Sequence, residues 1–303
     1  MLESVRVAIA LLLLTALCLA GAAQAAYPEL RQAVDAELQR ALDARIDRLG
    51  LRRAVRDQRL AATLVDITDI DHPRVAQVNG DDMMYAASLP KITILLAAFQ
   101  RIHDGSLALD ESLRTHLTAM IRHSSNASAR EALQIVGRDY VLKLLQSERY
   151  HLYEADEGGG LWLGKSYGRE PAFQRDPLHN ISHGATSHQV ARFYYLLATD
   201  RLVDREACEA MREIMGEPGL GHKFVGALNA AHPGSTILRK SGTWRTYHSD
   251  SAIIERDGRR YIAVVLANDL HGAEWLSELV LTMDDLVMTP PTTLTAQARL
   301  ETE

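Results

Sequence analysis

Apolar residues recur at three- and four-residue steps through Leu30, Val34, Leu38, Leu42, Ile46 and Leu49, so residues 28–60 read as one long amphipathic helix broken near Gly50. The period then changes. Residues 61–68 (AATLVDIT) and 74–78 (RVAQV) are rich in β-formers and flank Asp71-His72-Pro73, the pattern of two strands joined as a hairpin. From Leu89 to Ile102 the chain is apolar nearly all the way round, which predicts a buried helix. Amphipathic patterns over 109–123, 127–136 and 139–146 predict three more helices, and the glycine-bearing stretch 150–183 predicts irregular structure. Helical periodicity returns over 187–198 and 204–215. Strand patterns follow at 235–243, 248–255 and 261–267, with Asp257-Gly258 as a turn, then a last helix over 274–288 and a Pro/Thr-rich tail. Strands at both ends with helices between them imply one sheet built from the two ends of the chain and a helical block inserted into it.

Composition narrows the class. With 303 residues, 47% of them hydrophobic and 24% charged, the chain has the material for a packed core. A net charge of −6 offers no basic field to hold a phosphate backbone, so nucleic acid is excluded as an expected partner. The 33 basic residues comprise 28 Arg and only five Lys, at 91, 143, 165, 223 and 240, so a motif that uses lysine carries more weight than usual.

The apolar run Val7–Ala20 followed by Ala23-Gln24-Ala25 has the form of a secretory signal with a small-residue cleavage site. Its basic end is weak, because Glu3 offsets Arg6, so a retained anchor is the other reading; Cys18 lies in no lipobox. Removing residues 1–25 leaves Cys208 as the one cysteine, which excludes an internal disulfide and a cysteine-based metal site. The expected product is a periplasmic or secreted monomer with no stable membrane insertion and no cofactor.

Three short motifs occur in one order: Ser88-Leu89-Pro90-Lys91, Ser124-Ser125-Asn126 and Lys240-Ser241-Gly242. Shuffling this composition gives all three in that order in under about one sequence in a thousand. Ser88 and Lys91, one helical turn apart, bring a hydroxyl and an amine onto one face with Cβ atoms about 5 to 6 Å apart. A serine hydroxyl needs a base to become a nucleophile, and a lysine becomes a base when its pKa falls. An apolar helix, the positive end of its dipole and a second cation at Lys240 all push Lys91 that way. Gly242 lets a strand approach a ligand closely.

This set resembles the serine β-lactamases and D,D-peptidases, class A β-lactamases above all, over about residues 30–287. The resemblance implies a three-layer α/β sandwich with an antiparallel sheet and an inserted all-α subdomain, with the active site between them. On that basis residues 26–288 form one catalytic unit, its sheet lobe about 26–85 and 187–288, its helical lobe about 86–186, followed by a flexible tail over 289–303. It also implies roles. Ser88 is the nucleophile and Lys91 the base; Ser124 relays a proton to the departing nitrogen, ordered by Lys240; Asn126 holds the substrate's acylamino group. The N–H groups of Ser88 and Thr243 form the oxyanion hole, and the Ser241 and Thr243 hydroxyls bind the substrate carboxylate.

The resemblance fails in one region. Class A enzymes activate the deacylating water with an Ω-loop glutamate in a Glu-x-x-Leu-Asn pattern, and the stretch 153–165 read as its counterpart lacks it. Glu154, Asp156 and Glu157 are candidate substitutes, against the plainer reading of a solvated acidic loop. The 36 residues from Ser88 to Ser124 are also fewer than in typical class A enzymes, which implies a more open cleft. Elsewhere the plain readings lead. His179, His183 and His188 are scattered histidines rather than metal ligands, and Gly158-x-Gly160 lacks the strand and helix of a nucleotide loop. Trp244 is a candidate ligand contact, and Trp162 either lines the cleft or packs the loop. Arg245 either binds a carboxylate or pairs with Asp250.

Three functions follow for test: hydrolysis of β-lactam or related amide bonds through a serine acyl intermediate, D,D-peptidase-like hydrolysis with slow β-lactam deacylation, and non-catalytic muropeptide binding.

Overall fold

The computed structural model describes residues 27–289; the stretch read as an export signal and the tail expected beyond residue 289 lie outside them. In chain order the main elements are α1 (Ala36–Arg48), α2 (Arg52–Arg56), β1 (Leu60–Asp66), β2 (Arg74–Val78), β3 (Met84–Tyr85), α3 (Lys91–His103), α4 (Glu111–Arg122), α5 (Asn126–Val136) and α6 (Arg138–Leu145). Short strands β4 (Tyr153–Glu154), β5 (Gly159–Gly160), β6 (Trp162–Leu163) and β7 (His183–Ala185) follow. The chain closes with α7 (Ser187–Ala198), α8 (Arg205–Met215), α9 (Phe224–Ala231), β8 (Thr236–Trp244), β9 (Tyr247–Arg256), β10 (Arg259–Asn268) and α10 (Gly272–Met288).

The main sheet is antiparallel in the order β2-β1-β10-β9-β8, so β1 from the start of the chain pairs with β10 from its end, Leu60 opposite Ala267. Strand β1 is buried on both faces, which is why its sequence is an almost unbroken apolar run. Leu60, Ala62 and Leu64 face α1 and α10 in one core; Ala61 and Val65 belong to the other, which contains α3 and α7. Three layers result, as expected. Helix α7 is stitched to the sheet by Thr63 and Ser187 hydroxyls at 2.8 Å and by the Tyr194 hydroxyl donating to Ser251 O at 3.0 Å.

The N-terminal helix is shorter than its periodicity suggested. Asp35 accepts a hydrogen bond from Leu38 N at 2.7 Å and starts α1 there, while Leu30–Gln32 form only a 3-10 turn. Sequence periodicity also left residues 216–234 without an element. They contain α9, whose Phe224, Val225 and Leu228 are buried in the core shared with α10; at eight residues and with an internal glycine it is too short to show a period. The glycine run of 158–160 serves a close approach: a Cβ on Gly160 would lie 2.2 Å from Leu152 O, across the β4–β5 pair.

Candidate active site

Ser88 lies in the turn ahead of α3. Leu89, Lys91 and Ile92 each bond back three residues, Pro90 caps the helix and Lys91 is its first residue, so the motif straddles the helix start. Ala87 adopts φ +53, a strained value for a residue with a Cβ. Ser88 is half-buried and lines a cleft of about 600 Å³. Its hydroxyl makes no hydrogen bond with any described residue.

Lys91 is fully buried. Its Nζ donates to Ser124 O at 2.6 Å and to Asn126 Oδ1 at 2.7 Å. Burial alone pushes its pKa down to about 7, so the buried position, rather than the second cation, carries the shift. A neutral amine has two N–H groups and one lone pair; with both N–H groups engaged, the lone pair remains for a proton.

The second motif divides its labour. Ser124, in a left-handed conformation at φ +55, holds its hydroxyl 2.9 Å from Lys240 Nζ. Ser125 caps α5 by accepting from Ser128 N at 3.1 Å, and Asn126 begins the helix and lines the cleft. Lys240 Nζ also donates to Ser241 O at 2.5 Å, and burial followed by the charge of Lys91 drives its pKa far below the usual lysine value.

Strand β8 is the edge of the sheet. The two-residue turn Arg245-Thr246 closes on the pair Trp244–Tyr247, and a ladder alternates outward from such a hydrogen-bonded pair. The Thr243 N–H therefore points away from β9, on the open side of the edge strand. Gly242 brings that strand against the nucleophile turn: a Cβ there would lie 2.4 Å from Ala86 O and 2.7 Å from Ser88 N. Gly242→Ala is expected to push β8 away and slow acylation about 100-fold, the scale of losing one oxyanion donor; stopped-flow acylation of the folded variant checks it.

Sequence reasoning missed several residues here. Lys223, one of the five lysines, is buried below Thr243 and donates to Gly242 O at 2.7 Å, Thr243 Oγ1 at 2.8 Å and Ser249 O at 3.2 Å. Burial pushes its pKa down to about 8. Its backbone, at φ 53 and ψ −121, is strained. The scarcity of lysine was a signal for it. Tyr85, Tyr167, His183 and Tyr247 form an aromatic wall, with Tyr85 edge-on to Tyr247 at 5.3 Å and Tyr167 against His183 at 4.5 Å. Burial pushes His183 down to about 4, and its Nε2 meets Lys165 O at 2.9 Å. Nothing in the sequence distinguished these aromatic residues from core.

Other candidates are placed elsewhere. Glu157 pairs with Arg31 at 3.4 Å, and Glu154 contacts His151 at 2.9 Å and Gln189 at 3.3 Å; neither lines the cleft. The two acids offered as deacylation candidates are thus placed outside the cleft lining, beside arginine, histidine and glutamine neighbours. Asp156 sits in an exposed 3-10 turn. Ser241 is buried, whereas Thr243 is exposed and lines the cleft. Trp244 is 55% exposed at the rim, whereas Trp162 is buried and donates to Gln174 O at 3.0 Å. Arg245 stacks on Trp244 rather than pairing with Asp250, which is taken by Arg239 at 2.6 Å. His179 meets Gly158 O and His188 meets Gln77 Oε1, both at 3.0 Å.

An antiparallel sheet built from both chain ends, with a serine, two buried lysines and a second serine converging at its edge, defines a serine hydrolase of the β-lactamase fold. The model of the beta-lactamase enzyme family matches residues 50–116 and 112–282, and the chain belongs to that family. Among solved structures, a β-lactamase from Sphaerobacter thermophilus is 18% identical with a TM-score of 0.63, covering 83% of this chain and 98% of its own. A class A β-lactamase representative from Bacteroides cellulosilyticus is 17% identical with a TM-score of 0.62, covering 83% and 97%. A mutant of PBP-A, solved as an acyl-enzyme complex with penicillin G, is 17% identical with a TM-score of 0.60, covering 82% and 95%. No curated protein sequence matches the chain.

Proposed function

We propose that this protein is an exported serine acyl-enzyme hydrolase that opens β-lactams and related amides of peptidoglycan peptides, forming a long-lived ester on Ser88. The observation that carries the reading is the network Lys91–Ser124–Lys240 beside Ser88, with Lys91 Nζ bonded to Ser124 O and Lys240 Nζ to Ser124 Oγ. In this mechanism neutral Lys91 takes the Ser88 proton as Oγ attacks the carbonyl carbon. The Ser88 and Thr243 N–H groups hold the resulting oxyanion, and Ser124 passes a proton to the leaving nitrogen. Lys223 donates to Thr243 Oγ1, so the Thr243 hydroxyl proton is left to bind a substrate carboxylate.

Long ester lifetime is the peptidase-like alternative, and the surroundings of Lys91 favour it. The side chains bonded or stacked on the amine are Asn126 and Tyr167, and neither is a carboxylate that could activate water. Export rests on the leader pattern of residues 1–25.

Intact mass spectrometry during incubation with benzylpenicillin tests the reading. The expected result is an adduct that persists for minutes or longer. Rapid nitrocefin turnover with first-order loss of the adduct would overturn the slow-ester reading, and an unmodified protein across several β-lactams would remove the β-lactam assignment altogether. Tight binding without any adduct would indicate a binding module.

A further inference from the structure

We propose that Tyr167 is a positioning residue for Lys91, its ring closing over the amine and keeping water from it so that the amine can serve as a base. The inference rests on the function proposed above. The Lys91 Nζ lies 4.4 Å from the centre of the Tyr167 ring, in addition to its two hydrogen-bond acceptors. Tyr167 is itself buried and fixed from several directions. Its carbonyl accepts from Arg130 on α5 at 3.0 Å, its hydroxyl donates to Ala87 O at 3.4 Å beside the nucleophile, and its ring packs against His183 on β7. A ring held on both its main chain and its hydroxyl is a fixed lid rather than a mobile side chain.

The physical consequence concerns solvation. An ammonium group needs three acceptors, and here two are supplied by Ser124 O and Asn126 Oδ1. Beside them stands an aromatic face, which attracts a cation but solvates it less well than water does. The other titratable groups around the amine are Lys240 on β8 and His183 on β7. Lys240 is itself driven far below the usual lysine value, and His183, pushed down to about 4, is neutral at pH 7, so burial remains the cause of the Lys91 shift. Removing the ring admits water to the amine, which moves back toward the ordinary lysine value.

Two measurements test this. The pH profile of acylation by benzylpenicillin should keep its acid limb in Tyr167→Phe, which retains the ring. In Tyr167→Ala the limb should move up by about one pH unit or more, with the rate about fivefold or more lower at pH 7 and recovering toward wild type at alkaline pH. A uniform fall in rate at every pH, with the limb unmoved, would mean that the ring only supports the fold and would overturn the proposal. An NMR titration of protein labelled at the lysine ε-carbon reads the Lys91 amine independently of any reaction, with its resonance assigned by Lys91→Arg. An unchanged titration in Tyr167→Ala overturns the proposal even if no adduct forms, whereas a shifted titration without any adduct supports the lid and refutes the acylation reading instead.

Discussion

A Ser88→Ala protein incubated with benzylpenicillin is expected to keep its unmodified mass, and Lys91→Ala to acquire the adduct about 100 to 10,000-fold more slowly than wild type, the span typical of a lost general base. The two differ because one removes the atom that forms the ester and the other only its activation. Lys91 is buried at the start of an apolar helix, where burial pushes it down to about 7. Because the pKa is lowered and the base is the deprotonated form, activity is lost as pH falls through that value. Wild-type acylation at pH 6 should be about one-tenth of its plateau, with the plateau reached by about pH 8. A limb near pH 4 would instead assign the base to His183, which burial pushes down to about 4. Stopped-flow acylation from pH 4 to 9, with mass spectrometry on both variants, decides among these outcomes.

Asp250→Ala is expected to destabilise the protein by about 3 to 5 kcal/mol, the usual cost of leaving one member of a buried ion pair without its partner. Asp250 and Arg239 are both buried and meet through two hydrogen bonds, Arg239 Nε to Oδ1 at 2.7 Å and an amino group to Oδ2 at 2.6 Å. Asp250 also accepts from Phe224 N at 3.3 Å, and Arg239 donates to Leu220 O at 2.8 Å. The pair therefore joins β8 and β9 to the segment leading into α9. Lys240 and Thr243 stand on that same strand and Lys223 at the start of that helix, so the pair supports the site from behind. Urea unfolding measures the loss. The paired replacement Arg239→Met with Asp250→Leu should recover most of it, because it removes both desolvated charges; a single variant within 1 kcal/mol of wild type would contradict this account.

Sequence and structure agree where local pattern carries the information. Residues 187–198 form the helix their period predicts, and 74–78 the strand, because amphipathic period and β-rich composition are properties of neighbours along the chain. The order of the three motifs led to Ser88, Lys91, Ser124 and Lys240, which meet at one cleft although 152 residues separate the first from the last. The placements that differ from local expectation share a cause. Glu154 and Glu157 look available in the sequence because it does not show that Arg31, His151 and Gln189 reach them. Proximity along the chain pairs Asp250 with Arg245, five residues back, but the strand register places Arg239 diagonally across from it on the same two strands.

By itself the sequence determined the serine and lysine motifs and their order, the sheet built from both chain ends and the expectation of export. These rest on residue type, spacing and period. Only the tertiary structure decided which groups surround the amine: Tyr167 over Lys91, Lys223 under Thr243 and no acid of the 154–157 loop in the cleft. Reactivity at that amine depends on desolvation and on neighbours brought from distant positions, and both are set by packing.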